Sequence, residues 1–451
     1  MEFERKIYKD ILNWKEKSKG KSALLIEGAR RVGKSTIAKK IGSTYKSYVV
    51  IDFSRASKNI KDIFENGLNN LDIFFQVISL EYNVNLYKRQ SLIIFDEVQR
   101  FPRAREVIKL LVEDGRYDYI ETGSLISLKE NVKDILIPSE EEKIKMYPMD
   151  FEEFLWALDE KKLADYIREC YNEKIPLMDA FHKKATYAFN EYILVGGMPQ
   201  SVDAYISNQR NFGEAHIAKN RIIELYKDDI KKSASRYMSK ASSIFENIPS
   251  YLSKHDKKIS LNQINSGAKY SAYDDPLFWL EDSMICNLCY RCNDPSIGLS
   301  LNKDESAVKC YMGDTGLLTS MILNENSIVP NELYRNILSG KVNFNKGMLY
   351  ENVVAQSLKF KNKQLYFYTH YDYDKKRYDV EIDFLLSDVQ SGKVVPIEVK
   401  SSKNYTNISY DKFKARFNKR IGTSYIIHPK AFSKDDNGYK VPAYMLFALF
   451  E

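Results

Sequence analysis

Three short stretches in the first third of the chain are strand-like. SALLIEG (22–28) and SLIIFDEVQR (91–100) each run through consecutive apolar residues and end on glycine or on charged residues, and YDYIETGSLIS (117–127) is a third strand-like stretch ending in Thr122, Gly123 and Ser124. Continuous apolar runs of this length predict strands buried on both faces of a parallel sheet. STIAKKIG (35–42) instead places Ile37, Ala38 and Ile41 on one side at helical spacing. Over 148–230 the apolar period lengthens to three and four, as in FEEFLWALDEKKLADYIREC, which predicts a mostly helical segment. VGGMP (195–199) interrupts it as a turn. Further on, SSIFENIPSYLSK predicts an amphipathic helix, ISLNQINSG a short second helix capped by Ser260, and SAYDDPLFWLEDSMI a third. Strand-like CNLCYRCND and AVKCYMGD follow with a polar stretch between them, the order of a winged helix-turn-helix. In the last third a helix over 340–360 precedes alternating QLYFYTH (364–370), VEIDFLLSD (380–388) and PIEVKSS (396–402), which predict three strands.

The length of 451 residues is enough for about three domains of roughly 150 residues each. With 44% apolar and 29% charged residues the composition is that of a globular chain. No apolar run approaches the roughly 20 residues of a membrane helix, so no membrane partner is expected. The opening MEFERKIYKD lacks the zones of a secretion signal, and five cysteines are too few for a disulfide scaffold. A cytoplasmic location is the resulting expectation. Net charge is +7, unevenly placed: Lys359 to Arg420 holds 14 Lys/Arg against 8 Asp/Glu. A basic stretch attracts polyanions, although a solvated lysine-rich surface has the same composition.

Between the first predicted strand and the first predicted helix lies GARRVGKST, residues Gly28, Ala29, Arg30, Arg31, Val32, Gly33, Lys34, Ser35 and Thr36. A strand–loop–helix of this kind is the context of a phosphate-binding loop. Gly28 and Gly33 permit backbone angles that turn N–H groups inward, and the helix adds its positive end. Lys34 would then reach the β and γ phosphates of ATP, and the Ser35 hydroxyl would bind Mg²⁺. Asp96 at the end of the second strand would hold that Mg²⁺ through water, and Glu97 would polarise the attacking water, a pairing that favours hydrolysis. Thr122, Gly123 and Ser124 at the third strand's end would sense the γ-phosphate. Arg30, Arg31, Arg100, Arg103 and Arg105 are all candidates for an arginine finger, in cis or from a neighbouring subunit, which leaves a homo-oligomer open.

The GARRVGKST loop, FDEVQRFP and the ETGS strand end resemble the AAA-type ATPases of a large bacterial and archaeal family. Its members carry a C-terminal domain of unknown function with a nuclease-like pattern. YPMDFEEFLW (147–156) and VGGMPQSV (195–202) are similar to two further landmarks of that family, so the resemblance covers nearly the whole chain. Ala29 and Arg31 depart from the family's usual proline and glutamine. The resemblance implies an ATPase core, with the helical segment as a lid over its nucleotide.

In the last third, Asp383 stands on one predicted strand, and Glu398 and Lys400 share a face of the next, after Glu351 on the preceding helix. Asp383 and Glu398, with Glu351 or a backbone carbonyl, would hold one or two Mg²⁺ ions, and Lys400 would orient or activate water. Asp383-x14-Glu398-x-Lys400 resembles the PD-(D/E)xK restriction-endonuclease-like fold, without the proline before Asp383. The expected partner is DNA. The alternative is a salt-bridged surface that only holds DNA or a protein. Lys412, Lys414, Arg416, Lys419 and Arg420 would frame the site on a helix cored by Phe413 and Phe417.

Two signals read more simply as structural. The would-be recognition segment SAYDDPLFWLED is acidic, which disfavours a phosphate-facing role. Cys286, Cys289 and Cys292, with Cys310, have thiolate-ligand spacing, but residues three apart on a strand face opposite sides. The expected architecture is therefore an α/β multidomain chain. It comprises a P-loop AAA-type ATPase core (1–147), a helical lid (148–230), a winged-helix-like domain (231–329) and a restriction-endonuclease-like α/β domain (330–451).

Overall fold

The three strand-like stretches of the first third become Ala23–Glu27 (β1), Ser91–Asp96 (β3) and Asp118–Gly123 (β4), joined by the unexpected Ser47–Asp52 (β2) and Glu141–Lys145 (β5). This computed structural model describes residues 1–123, 139–233, 238–259, 273–323, 329–342, 344–436 and 438–450. Two compact units divide the chain: Met1–Tyr147 with Asp282–Met284, and Pro148–Glu281 with Ile285–Glu451.

In the first unit, β1 to β5 form a parallel sheet in the order β2-β3-β4-β1-β5. β1 and β3 are buried along their whole length, as their apolar runs require, and β4 is equally buried although DYIETG carries Asp118, Glu121 and Thr122. β5 escapes the sequence pattern because EEKIK is mostly charged and lies at the sheet edge. One sheet face packs on an aromatic core in which Phe53, Phe64, Phe74 and Phe95 meet edge-on at centroid distances of 5.0 to 5.7 Å. Each such buried ring contributes about 2–3 kcal/mol of hydrophobic stabilisation.

The second unit starts with helices Phe151–Ala157, Lys161–Asn172, Asp179–Val195, Pro199–Ser207 and Phe212–Ser233. The first begins with a capping box, Asp150 taking the Glu153 N–H while Glu153 takes that of Asp150. These helices, expected as a lid, belong to the second unit. SSIFENIPSYLSK forms two helices, Met238–Glu246 and Ile248–Ser253. Pro249 fits only the first turn of a helix, so the break falls just before it. The expected second winged-helix element, with Ser260, lies outside the described residues, and helix Asp274–Asp282 matches the third.

Among the described residues the second unit has an eight-stranded sheet. Its strands are Cys286–Cys292 (β6), Lys303–Met312 (β7), Leu365–Asp372 (β8), Arg377–Asp388 (β9), Lys393–Val399 (β10), Ser424–His428 (β11), Ser433–Asp435 (β12) and Gly438–Pro442 (β13). Their order is β12-β13-β11-β10-β9-β8-β6-β7. The β6–β7 hairpin, expected as a wing, is thus the end of this sheet, hydrogen-bonded to β8 through Cys289–Leu365, Tyr290–Tyr366 and Arg291–Phe367. One sheet therefore crosses position 330, where the sequence places a boundary. Helix Lys346–Phe360 is tied to the end of β7 by buried amides. Asn352 accepts from Met312 N (2.8 Å), and Gln356 accepts from Thr315 N (2.8 Å).

Candidate functional site

The phosphate loop is built by its neighbours. A Cβ at Gly28 would overlap the Met146 carbonyl oxygen, because β5 runs alongside β1 and Met146 N donates to Glu27 O at 2.7 Å. Gly33 caps helix Lys34–Gly42 at φ 104°, a conformation that favours glycine, and Arg31 also has a positive φ of 71°. Arg5, far upstream, is buried against the loop. Its guanidinium donates to Val32 O (2.9 Å) and Tyr147 O (2.6 Å). Sequence reasoning missed Arg5, since nothing in MEFERKIYKD marks one basic residue among several.

Lys34 lies buried with Nζ donating to Gly28 O (2.9 Å) and Ala29 O (3.0 Å). Ser35 Oγ donates to Asp96 Oδ1 at 2.7 Å, and the Thr122 hydroxyl donates to the same oxygen. β1, β3 and β4 are neighbours, so the three motif residues meet at one carboxylate. Glu97 sits just past β3 in a left-handed conformation (φ 57°), with its carboxylate held by Gln99 Nε2 at 2.5 Å and its N–H facing Thr122 Oγ1 at 3.4 Å. A non-glycine residue held there is strained by about 1–3 kcal/mol, which is common at functional sites. An ammonium, a hydroxyl and a carboxylate gathered at the start of one helix fit a magnesium-bound triphosphate. Asp52 at the end of β2 lies in register with Asp96, with its carboxylate held by Ser54 and Arg55, and was missed although VVID has the same apolar-to-acidic ending. Ser124 lies outside the described residues.

The arginine candidates separate. Arg105 is buried in a two-pronged pair with Glu141, both contacts 2.7 Å, and Arg103 is paired with Glu106 at 2.5 Å. Arg31 and Arg100 are exposed, Arg30 half-buried, and Thr36 exposed at the start of the helix. On β4, Glu121 is fully buried. Its pKa is raised well above the usual carboxylate range by burial and by the neighbouring Glu141.

The second constellation also assembles. Asp383 on β9 and Glu398 on β10 flank the paired residues Phe384 and Ile397, so they stand across from each other. Lys400 Nζ donates to Glu398 Oε2 at 2.6 Å, and Asp383 Oδ2 accepts from Val399 N at 2.8 Å. Glu351 joins from helix Lys346–Phe360, accepting from Lys257 Nζ and from Tyr311 OH (3.3 Å). Lys309 Nζ pairs with Glu381 at 2.9 Å nearby. Burial, then Glu351 and Glu398, raises the Asp383 carboxyl well above its ordinary range. Burial also raises Glu398, against the opposing pull of Lys400.

The metal role expected of Glu351, Asp383 and Glu398 does not fit this arrangement. Among the described residues no three His, Cys, Asp or Glu side chains gather to enclose an ion. Most carboxylate oxygens here are committed to lysines, a tyrosine or a backbone N–H. The cysteines are likewise free and buried, with no metal cluster among the described residues. Of the framing cations, Lys412 pairs with Asp379 (3.5 Å) and Arg420 with Asp294, while Arg416 donates to Tyr368 OH (3.3 Å).

Comparison with known families matches three segments: residues 20–155 an AAA domain, 186–327 a domain of unknown function (DUF8612), and 346–445 a second domain of unknown function (DUF4143). No curated protein matches the chain. Solved structures with some likeness include the Aeropyrum pernix ORC1 protein in complex with DNA (10% identity, 72% of this chain and 93% of that one, TM-score 0.26). Two others are a Pyrococcus horikoshii STAND protein with a tetratricopeptide repeat sensor (13%, 80% and 46%, 0.24) and Drosophila ORC bound to AT-rich DNA and Cdc6 (10%, 71% and 92%, 0.20). TM-scores this low do not establish a common fold. Among the described residues no helix is long and apolar enough to cross a membrane. The matched segment, its parallel sheet and the loop at Gly28–Thr36 together make residues 20–155 an AAA-type P-loop ATPase domain.

Proposed function

We propose that this chain is an ATP-hydrolysing switch whose nucleotide cycle governs how a nuclease-like C-terminal domain engages DNA. The observation that carries the first half is the convergence of Ser35 and Thr122 on the Asp96 carboxylate beside the Lys34 ammonium. Lys34 leaves the Gly28 and Ala29 carbonyls for phosphate oxygens, with backbone N–H groups of Ala29 to Thr36 around them. Ser35 and Asp96 would hold Mg²⁺, which would neutralise charge on the transferred phosphate. Glu97, aimed by Gln99, orients the attacking water and takes its proton.

The second half rests on Asp383, Glu398 and Lys400 in a nuclease-like order and on the basic excess around them. No cleavage step is assigned, because Glu351, Asp383 and Glu398 do not fit a resident metal here. A second reading, a switch whose C-terminal domain binds a protein without chemistry, is favoured by the internal pairing of Lys412 and Arg420. A nicking assay with Mg²⁺ or Mn²⁺ separates the two. Cleavage by wild type that is lost in Asp383→Ala and in Lys400→Ala removes the protein-binding reading. Absence of DNA binding, together with ATP turnover indifferent to DNA, removes the DNA reading.

A further inference from the structure

Lys257 stands inside the C-terminal carboxylate cluster although it comes from a distant part of the chain. Its Nζ bonds Glu351 Oε1. Burial alone would lower its pKa, but Glu351 and Asp383 together hold its ammonium above the ordinary value. The backbone carries it there under constraint. Lys257 has φ 50°, in the left-handed region that strains a lysine. The next two residues lie along β7, Lys258 bridging Lys309 and Ile259 N donating to Val308 O at 2.9 Å.

Three of the cluster's four acids are paired with lysines from within the chain. Lys257 faces Glu351, Lys309 faces Glu381, and Lys400 faces Glu398, which leaves the buried Asp383 carboxyl as the fourth acid. One polar atom is left over: Glu398 Oε1 is buried and has no hydrogen-bond partner among the described residues. It is the one oxygen in this cluster that is buried without a partner, while Glu351 Oε1 and Oε2, Asp383 Oδ2 and Glu398 Oε2 accept hydrogen bonds. A divalent ion needs several carboxylate oxygens with open lone pairs, and the Glu351 oxygens are held by Lys257 and Tyr311.

We infer that Lys257 is an intramolecular cation that occupies the place of a divalent metal and closes the Glu351–Asp383–Glu398 cluster to it. The inference rests on reading that cluster as nuclease-like. With Lys257 in place the site carries no resident ion. Once Lys257 withdraws, Glu351 regains an open oxygen beside Asp383 and the unpartnered oxygen of Glu398.

The test is direct Mn²⁺ binding to the full-length, nucleotide-free protein, followed by electron paramagnetic resonance of the free ion. Lys257→Met is expected to bind one additional Mn²⁺ at least about tenfold more tightly than wild type. Lys257→Arg, which keeps the charge, and Lys258→Met, one residue away, are expected to behave as wild type. Asp383→Asn in the Lys257→Met background is expected to abolish the gain. Should Lys257→Met fail to fold by circular dichroism, Lys257→Gln replaces it with the same expectation. Tight, Asp383-dependent binding already present in wild type overturns the role of Lys257 and leaves the nuclease-like reading standing. No Asp383-dependent binding in any variant overturns both.

Discussion

Lys219 is fully buried in the second unit, with Nζ donating to Leu194 O at 2.5 Å and lying 5.2 Å from the Tyr334 ring centre. Burial lowers its pKa to about 7, against a smaller upward pull from Asp314. In the unfolded chain it keeps the ordinary value of 10.5. From pH 7 to pH 10.5 the unfolded state therefore binds more protons than the native one, so stability rises with pH in that window. Below it both states are protonated and the native state bears the full cost, on the order of a few kcal/mol. Wild type is expected to gain thermal stability from pH 7 to pH 10, and Lys219→Met to gain clearly less; equal pH profiles would contradict this. Arg5 offers a second test at this scale. Arg5→Ala leaves the Val32 and Tyr147 carbonyls without their charged donor, a loss of about 1–3 kcal/mol. The expected result is a lower melting temperature together with weaker ATP binding. A change in neither would mean that Arg5 does not support the loop.

At the scale of elements, the phosphate loop and the strands β1 and β3 were legible because buried parallel strands leave apolar runs and the loop has a fixed glycine spacing, whereas β4 showed only a short Tyr119–Ile120 core before its small polar end. β5 was not legible, since a charged edge strand carries no such run. The VGGMP turn was legible as a turn, but not its reason. Gly196 has φ 84°, and a Cβ there would collide with Asp314 Oδ1 and stand 2.8 Å from Gly316 Cα. Asp314 in turn accepts from Gly197 N at 2.6 Å and caps the next helix through Leu317 N at 3.0 Å. This contact spans more than a hundred residues of chain, which no local pattern encodes. Gly196→Ala is expected to destabilise the protein by roughly 3 kcal/mol, from strain and overpacking together. Urea unfolding showing a loss under about 0.5 kcal/mol would contradict that account.

At the scale of the molecule, local patterning brings the predicted acidic residues together while one sheet runs across position 330, at which the sequence places a boundary. Asp383, Glu398, Lys400 and Glu351 do come together, as strand alternation and one helix implied. The lysines that neutralise them were invisible, because Lys257 and Lys309 belong to a stretch read as a winged helix whose hairpin extends the same sheet. If the two halves of the proposal are coupled, DNA changes the steady-state ATPase rate, and Lys34→Ala removes both the rate and its response. A rate unaffected by DNA of any form would confine the account to nucleotide hydrolysis.

That hydrolysis is the central claim, and one measurement reaches it most directly: phosphate release from Mg²⁺–ATP by wild type and Glu97→Gln, with nucleotide affinity measured alongside. Wild type is expected to turn over, and Glu97→Gln to bind ATP about equally while losing about 100-fold or more in rate. Turnover unchanged in Glu97→Gln, or absent from wild type, would contradict the account.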